Sequence, residues 1–226
     1  MTLARFTSDD DVIRLAKAAV LGDQGQRPPT WIPAARLTLR GVTATLAYRL
    51  DPAEHARRCV HGMLAVTDLE KLNVLLGLPL GLPVPKSELR RQDWLVIGQL
   101  PPGCVKVADG AVTRQIMRPL FVDLAVVASD GEDWRSGLRR AGQFSTYCTR
   151  LLAIPGTLGD IAEASAEAAY YGIGFVVNAS GDPVLAVKPE RFIPTAHTAA
   201  GWRFTEQVYS EIVMRHLLPT EIGQAL

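Results

Sequence analysis

His55, Cys59 and His61 bring three metal-seeking side chains close together, and on a helix His55 and Cys59 share one face at i, i+4. Imidazole and thiolate are the donors tetrahedral zinc prefers, but a closed site takes four ligands and no fourth lies nearby. Ordinary helix packing suits these residues better. A second group is cationic. Arg90, Arg91, Arg114, Arg135 and Arg139, with Arg118 and Arg140 beside them, carry planar forks that match phosphate oxygens. They are the candidate nucleic-acid contacts, and a solvated basic helix face is the alternative. His197 and His216 have no evident Cys or Ser partner, and no Gly-x-Ser-x-Gly elbow occurs. Gly172-x-Gly174 lacks a third glycine and enters a strand rather than a helix, so no dinucleotide site follows. Trp31, Trp94, Trp134 and Trp202 fit core or interface positions better than base-stacking platforms. No cofactor is expected.

The charge balance narrows the partner class. With 24 Lys+Arg against 23 Asp+Glu the formal net charge is +1, which excludes a polycation and leaves room for a local Arg face. A chain of 226 residues, 48% apolar, can bury a core without staples. Cys59, Cys104 and Cys148 are odd in number and far apart, so a reducing compartment is the expectation. Asp9, Asp10 and Asp11 stand where a signal peptide needs a basic flank, and Leu72–Val84 is interrupted by Gly77, Pro79, Gly81 and Pro83. A cytoplasmic protein without a membrane partner is expected, and the abundance of Arg and Ala resembles GC-rich bacterial proteins.

The elements that would position these groups follow from caps and periodicity. Ser8 and the acids after it predict a helix over about 8–21. Leu37–Leu46 reads as strand or helix, with helix favoured because Pro33 precedes Ala34-Ala35-Arg36. Asp51-Pro52 opens a helix carrying Ala56, Val60, Met63 and Leu64, and Thr67-Asp68-Leu69-Glu70 opens another that Gly77 and Pro79 end. A short helix at Pro85–Asp93, a strand at Trp94–Ile97 and a hairpin about Asp109-Gly110 complete this half. Helices followed by a hairpin is the order of a winged helix-turn-helix. In the second half, strands at Phe121–Ala128, Thr149–Ile154, Ile173–Val177 and Val184–Val187 alternate with helices from Trp134 and over Ile161–Tyr170, and a last helix covers about 206–218. The expected class is α/β, α+β overall. A mainly helical, winged-helix-like part would span 1–100 and an α/β part with a C-terminal helix 101–226.

Val122–Pro155 resembles a central piece of the PD-(D/E)XK nuclease superfamily. In the similar members a strand carrying Glu-x-Lys leads to a Ser-Asp-Trp-like turn, then a helix of the form Trp-Arg-x-x-Leu-Arg-x-Ala, an aromatic, and a strand ending in Pro. Here the helix is Trp134-Arg135-Ser136-Gly137-Leu138-Arg139-Arg140-Ala141, followed by Phe144, Tyr147 and Leu151-Leu152-Ala153-Ile154-Pro155. Gly172-Ile173-Gly174-Phe175-Val176-Val177 is similar to the family's Gly-x-Gly strand. The resemblance covers roughly Cys104–Pro189 and implies a restriction-endonuclease-like αβ sandwich with a mixed sheet.

The chain departs from that pattern at the chemistry. The family's Asp and Glu hold Mg²⁺ and its Lys orients water. Where Glu-x-Lys belongs, this chain has Ala125-Val126-Val127-Ala128. Asp123 is left as a lone acid two residues before Ala125 and on the same face. Asp130, Glu132 and Asp133 fit a cap and turn better than a displaced metal site, and Gln143 with Tyr147 matches the Gln-x3-Tyr of RecB-like nucleases on one helical face. The expectation is a nuclease fold without nuclease chemistry, binding duplex DNA or a protein partner through its Arg face. The alternatives are an Mg²⁺-dependent nuclease using Asp123 with Glu132 or Asp133, and a pure interaction module or homo-oligomer using Leu72–Val84 and the C-terminal helix.

Overall fold

The computed structural model describes residues 33–154, 161–178 and 183–215. In chain order these form β1 (Ala34–Leu39), β2 (Val42–Leu50), α1 (Pro52–Val60), α2 (Leu69–Gly77), β3 (Pro83–Pro85), a 3₁₀ turn (Lys86–Glu88), α3 (Arg91–Ile97), β4 (Val105–Ala108), β5 (Ala111–Arg114) and β6 (Leu120–Ala128). Then follow α4 (Trp134–Gly142), β7 (Thr149–Ile154), α5 (Ile161–Tyr170), β8 (Gly174–Asn178), β9 (Pro183–Val187) and α6 (Ala199–Met214). The fold is mixed α/β. The chain divides into two compact units, one ending at Arg49 and resuming over Val122–Pro194, the other made of Leu50–Phe121 and the segment from Thr195.

The first unit holds a mixed six-stranded sheet of order β1-β2-β6-β7-β8-β9. β6, β7 and β8 run parallel, while β1 with β2 and β8 with β9 are antiparallel. The parallel neighbours are joined through α4 and α5, as parallel strands require. Ala47, Leu124, Val126, Leu151, Ala153 and Val176 form one buried cluster. Val127, Leu152 and Phe175 align in register on alternate positions and are fully buried. The near-continuous apolar run of β6 is thus explained by burial on both faces. α4 comes so close that a Cβ on Gly137 would stand 2.7 Å from Leu152 Cδ1.

The second unit packs α1, α2, α3 and α6 with a three-stranded antiparallel sheet of order β3-β5-β4. Its core joins Met63, Val66, Leu72, Leu75, Cys104, Ile116, Ala199 and Trp202. Asp51 and Asp68 cap α1 and α2, accepting from Glu54 N at 2.9 Å and Lys71 N at 3.0 Å. A buried charge network ties α1 to α6. The Arg58 guanidinium, wholly out of solvent, meets Glu54 and Glu206 at 2.7 Å each. Glu206 also accepts from Val66 N and Trp202 Nε1. Two carboxylates and the two cations Arg57 and Arg58 balance in charge, which is the condition for burying them.

Several expectations are corrected. A winged-helix-like N-terminal half is not what the chain forms, because residues 34–50 are strands of the large sheet. The favoured helix at Leu37–Leu46 is instead a hairpin, turning at Arg40 and Gly41 with φ of 54° and 79°. Positive φ at both central residues is the type I′ turn, here with Arg in place of the usual Asn. Buried Leu37, Leu39, Val42, Ala44 and Leu46 alternate with outward Thr and Arg, a two-residue period that outweighs the Pro33 signal. Trp94–Ile97, expected as a strand, belongs to α3, and Pro85–Asp93 gives a 3₁₀ turn and only the start of that helix. α6 begins at Ala199 rather than near 206, capped by Thr198 Oγ1, which accepts from Gly201 N at 3.0 Å. The helix expected at 8–21 lies outside the described residues.

Candidate functional site

β6 carries the position of interest. Asp123 sits near the start of the strand, 20% exposed, and its carboxylate is held by Arg49 of β2. Arg49 Nε donates to Oδ2 at 2.8 Å and Nη2 to Oδ1 at 2.9 Å, a two-pronged contact. The bond to Asp123 raises the Arg49 pKa, with burial opposing it. Two and four residues on, Ala125 and Val127 are fully buried. Ala125 aligns with Arg150 of β7, which adds a half-buried cation on the same side. The neighbouring Cys148 thiol is pushed far up by burial, with Arg150 opposing and Asp123 adding to the shift, so it stays protonated. The sequence reading missed Arg49 and Arg150. The alternation of Val42–Leu50 is the signal that could have placed Arg49 on a strand beside β6.

These residues do not fit a divalent cation. The Asp123 carboxylate is already neutralised by a guanidinium, and the next two positions of β6 on its face are buried alkyl groups. Among the described residues no three His, Cys, Asp or Glu side chains gather as metal ligands. Asp130, Glu132 and Asp133 lie beyond the other end of β6. Asp130 Oδ1 accepts from Asp133 N at 2.8 Å, closing the turn, and Glu132 is exposed. Asp133 occupies the N-cap position of α4 without a side-chain capping bond, so the cap and turn roles fall to Asp130 and to Ser129, whose Oγ donates to Asp133 O. Gln143 and Tyr147 do not share a helical face, because α4 ends at Gly142 and the chain continues in turns bonded i to i−3. Tyr147 Oη instead accepts from Arg40 Nη1 at 2.7 Å.

The arginines fall into two groups, one per unit. In the first, Arg135 stacks on Trp134 at 4.2 Å, meets Glu163, and lies 3.5 Å from Glu167. Arg139 is exposed, with no carboxylate partner among the described residues. In the second, Arg90 is paired with Asp93 through both nitrogens at 2.8 and 2.9 Å, Arg91 is exposed, and Lys86 lies 4.5 Å over the Trp94 ring. Arg114 turns inward, donating from Nη1 to Leu75 O at 2.8 Å. The zinc candidates do not converge either. Cys59 Sγ is 3.7 Å from His55 Nε2, His55 Nδ1 is 2.8 Å from the Tyr209 hydroxyl, and the His61 ring packs on Gly103. Burial, then the charge of Arg58, lowers the His55 pKa and keeps it neutral.

Comparison with known proteins finds no family model, no curated protein and no solved structure that matches this chain. No helix among the described residues is long and apolar enough to cross a membrane.

Proposed function

We propose that this chain is a DNA-associated protein with a restriction-endonuclease-like sandwich that holds duplex DNA without cutting it. The pairing of Asp123 with Arg49 above the buried Ala125 and Val127 carries this reading, because it replaces a metal-binding face by an ion pair and alkyl groups. The strand–helix–strand order of β6, α4 and β7 in a mixed sheet supports the superfamily likeness. DNA association is supported by exposed Arg139 on α4 and by Arg90, Arg91 and Lys86 around the start of α3. Each cation set against a phosphate releases counterions, so affinity falls steeply with salt.

The experiment is an electrophoretic shift on a short duplex titrated against salt, with plasmid incubated in Mg²⁺ or Mn²⁺ in parallel. Binding at low salt with intact plasmid supports the reading. No shift even at low salt rejects DNA association. Cleavage lost in Asp123→Ala would establish the nuclease instead.

A further inference from the structure

We propose that Arg114 and Arg118, each set against residues 198–202 at the start of α6, form a binding site for a phosphate-class oxyanion. Arg114 ends β5 and Arg118 follows it on the extended segment leading to β6. Both guanidiniums lie against residues 198–202. Arg118 Nη2 reaches Thr198 O at 3.4 Å and lies 3.6 Å from where a Cβ on Gly201 would stand. The Arg114 guanidinium is 5.6 Å from the Trp202 ring centre, and its Nε is buried without a hydrogen-bond partner. Neither arginine pairs with a carboxylate among the described residues, and α6 has no acid in its first turn.

Arg58, inside the same unit, shows the contrast, since it is met by Glu54 and Glu206. Partly desolvated cations without an anion are costly, and burial lowers the pKa of both Arg114 and Arg118. Leu75 O at the end of α2 accounts for one nitrogen of Arg114, and among the described residues nothing comparable relieves Arg118. Arg118 beside the positive end of α6 adds repulsion that a bound anion would reverse. Two forks and a helix end suit a tetrahedral dianion better than a single carboxylate. Both side chains are only half-buried, so solvent reaches them. The phosphate group could arrive as a free anion or within a nucleic-acid backbone.

The test follows thermal unfolding of the full chain in sodium phosphate and in sodium chloride at equal ionic strength. Wild type is expected to gain about 3–6 °C in phosphate at roughly ten times its dissociation constant. Arg118→Gln should lose that gain. Arg118→Glu, which supplies a carboxylate of its own, should melt higher than Arg118→Gln in chloride and also lose the phosphate response. Equal melting of wild type in the two salts, or an equal phosphate gain in wild type and Arg118→Gln, overturns the site. Competition separates the sources. Phosphate that displaces a bound duplex assigns the backbone, and phosphate that stabilises without displacing it assigns a free anion. A chain that answers phosphate but never shifts duplex DNA keeps this site and rejects the function proposed above.

Discussion

Arg49 and Asp123 face each other across β2 and β6 with both carboxylate oxygens taken by one guanidinium, at 2.8 and 2.9 Å. Arg49 is 57% exposed and Asp123 20% exposed, so solvent screens the pair. Its coupling in a double-mutant cycle of Arg49→Ala and Asp123→Ala is expected at about 1 kcal/mol, the upper end for partly exposed pairs because both prongs bond. Urea unfolding measures it. Arg49→Ala frees the carboxylate without creating a metal site, so plasmid in Mg²⁺ should remain intact. Cleavage by that variant would mean Asp123 is a suppressed ligand.

Gly137 gives a stability test whose sign runs against helix propensity. An alanine inside an ordinary helix is favoured over glycine by about 1 kcal/mol. Here the added Cβ would stand 2.7 Å from Leu152 Cδ1 and 2.8 Å from Ser129 Cβ, so α4 must lift from the sheet. Overpacking costs about 1–3 kcal/mol. Gly137→Ala is therefore expected to destabilise, by about 1 kcal/mol net, in denaturant titration. A stabilised variant would show that α4 can move away from β7 freely.

The second half of the chain was largely legible in its sequence; in the first, the capped helices α1 and α2 were legible, while residues 34–50 and 94–97 were not. β6, α4, β7 and α5 could be read because long apolar runs and well-spaced helical faces alternate there, with the Asp130–Asp133 turn between. The Asp109-Gly110 hairpin declared itself through its turn residues, both at positive φ. Arg40-Gly41 makes the same turn with an uninformative first residue, so the hairpin beside it read as helix. Trp94-Leu95-Val96-Ile97 is an apolar run in which only Val96 and Ile97 are buried, and a short run of that kind does not distinguish strand from helix. The partner of Asp123 was invisible for another reason. Arg49 lies 74 residues away in sequence, and only the adjacency of β2 and β6 brings the two together. The same holds for the Arg58–Glu206 contact, which closes a separation of 148 residues.

His55 sets a pH dependence. It is 2% exposed, bonded to the Tyr209 hydroxyl, with Cys59 and Arg58 as its other polar neighbours. Burial, then the Arg58 charge, holds its folded pKa below the ordinary 6.5. As pH falls through that ordinary value the unfolded chain takes up a proton that the folded one resists. The stability due to neutral His55 is therefore complete above about pH 6.5 and is lost below it. The urea midpoint of wild type should fall between pH 7.5 and 5.5, and His55→Gln should flatten that fall. Equal slopes in the two proteins would assign the acid sensitivity to other groups.

The arginine contacts can be ranked by what already holds them. Arg90 is clamped by Asp93, and Arg135 lies between Glu163 and Glu167, so a DNA phosphate must compete with a carboxylate for either. Arg91 and Arg139 are exposed without such a competitor among the described residues. Removing a cation that contacts phosphate lowers the slope of log affinity against log salt by about 0.9. Arg91→Ala and Arg139→Ala should each lower it by about that amount, while Arg90→Ala and Arg135→Ala should change it by less than half as much. The unequal response follows because a clamped guanidinium must leave its carboxylate before it can neutralise a phosphate, and the acid left behind then repels the duplex. Duplex titrations at several salt concentrations read all four slopes. Equal slopes in the four variants would show that the carboxylates do not restrain these side chains, and unchanged slopes in Arg91→Ala and Arg139→Ala would remove both from any DNA-binding surface.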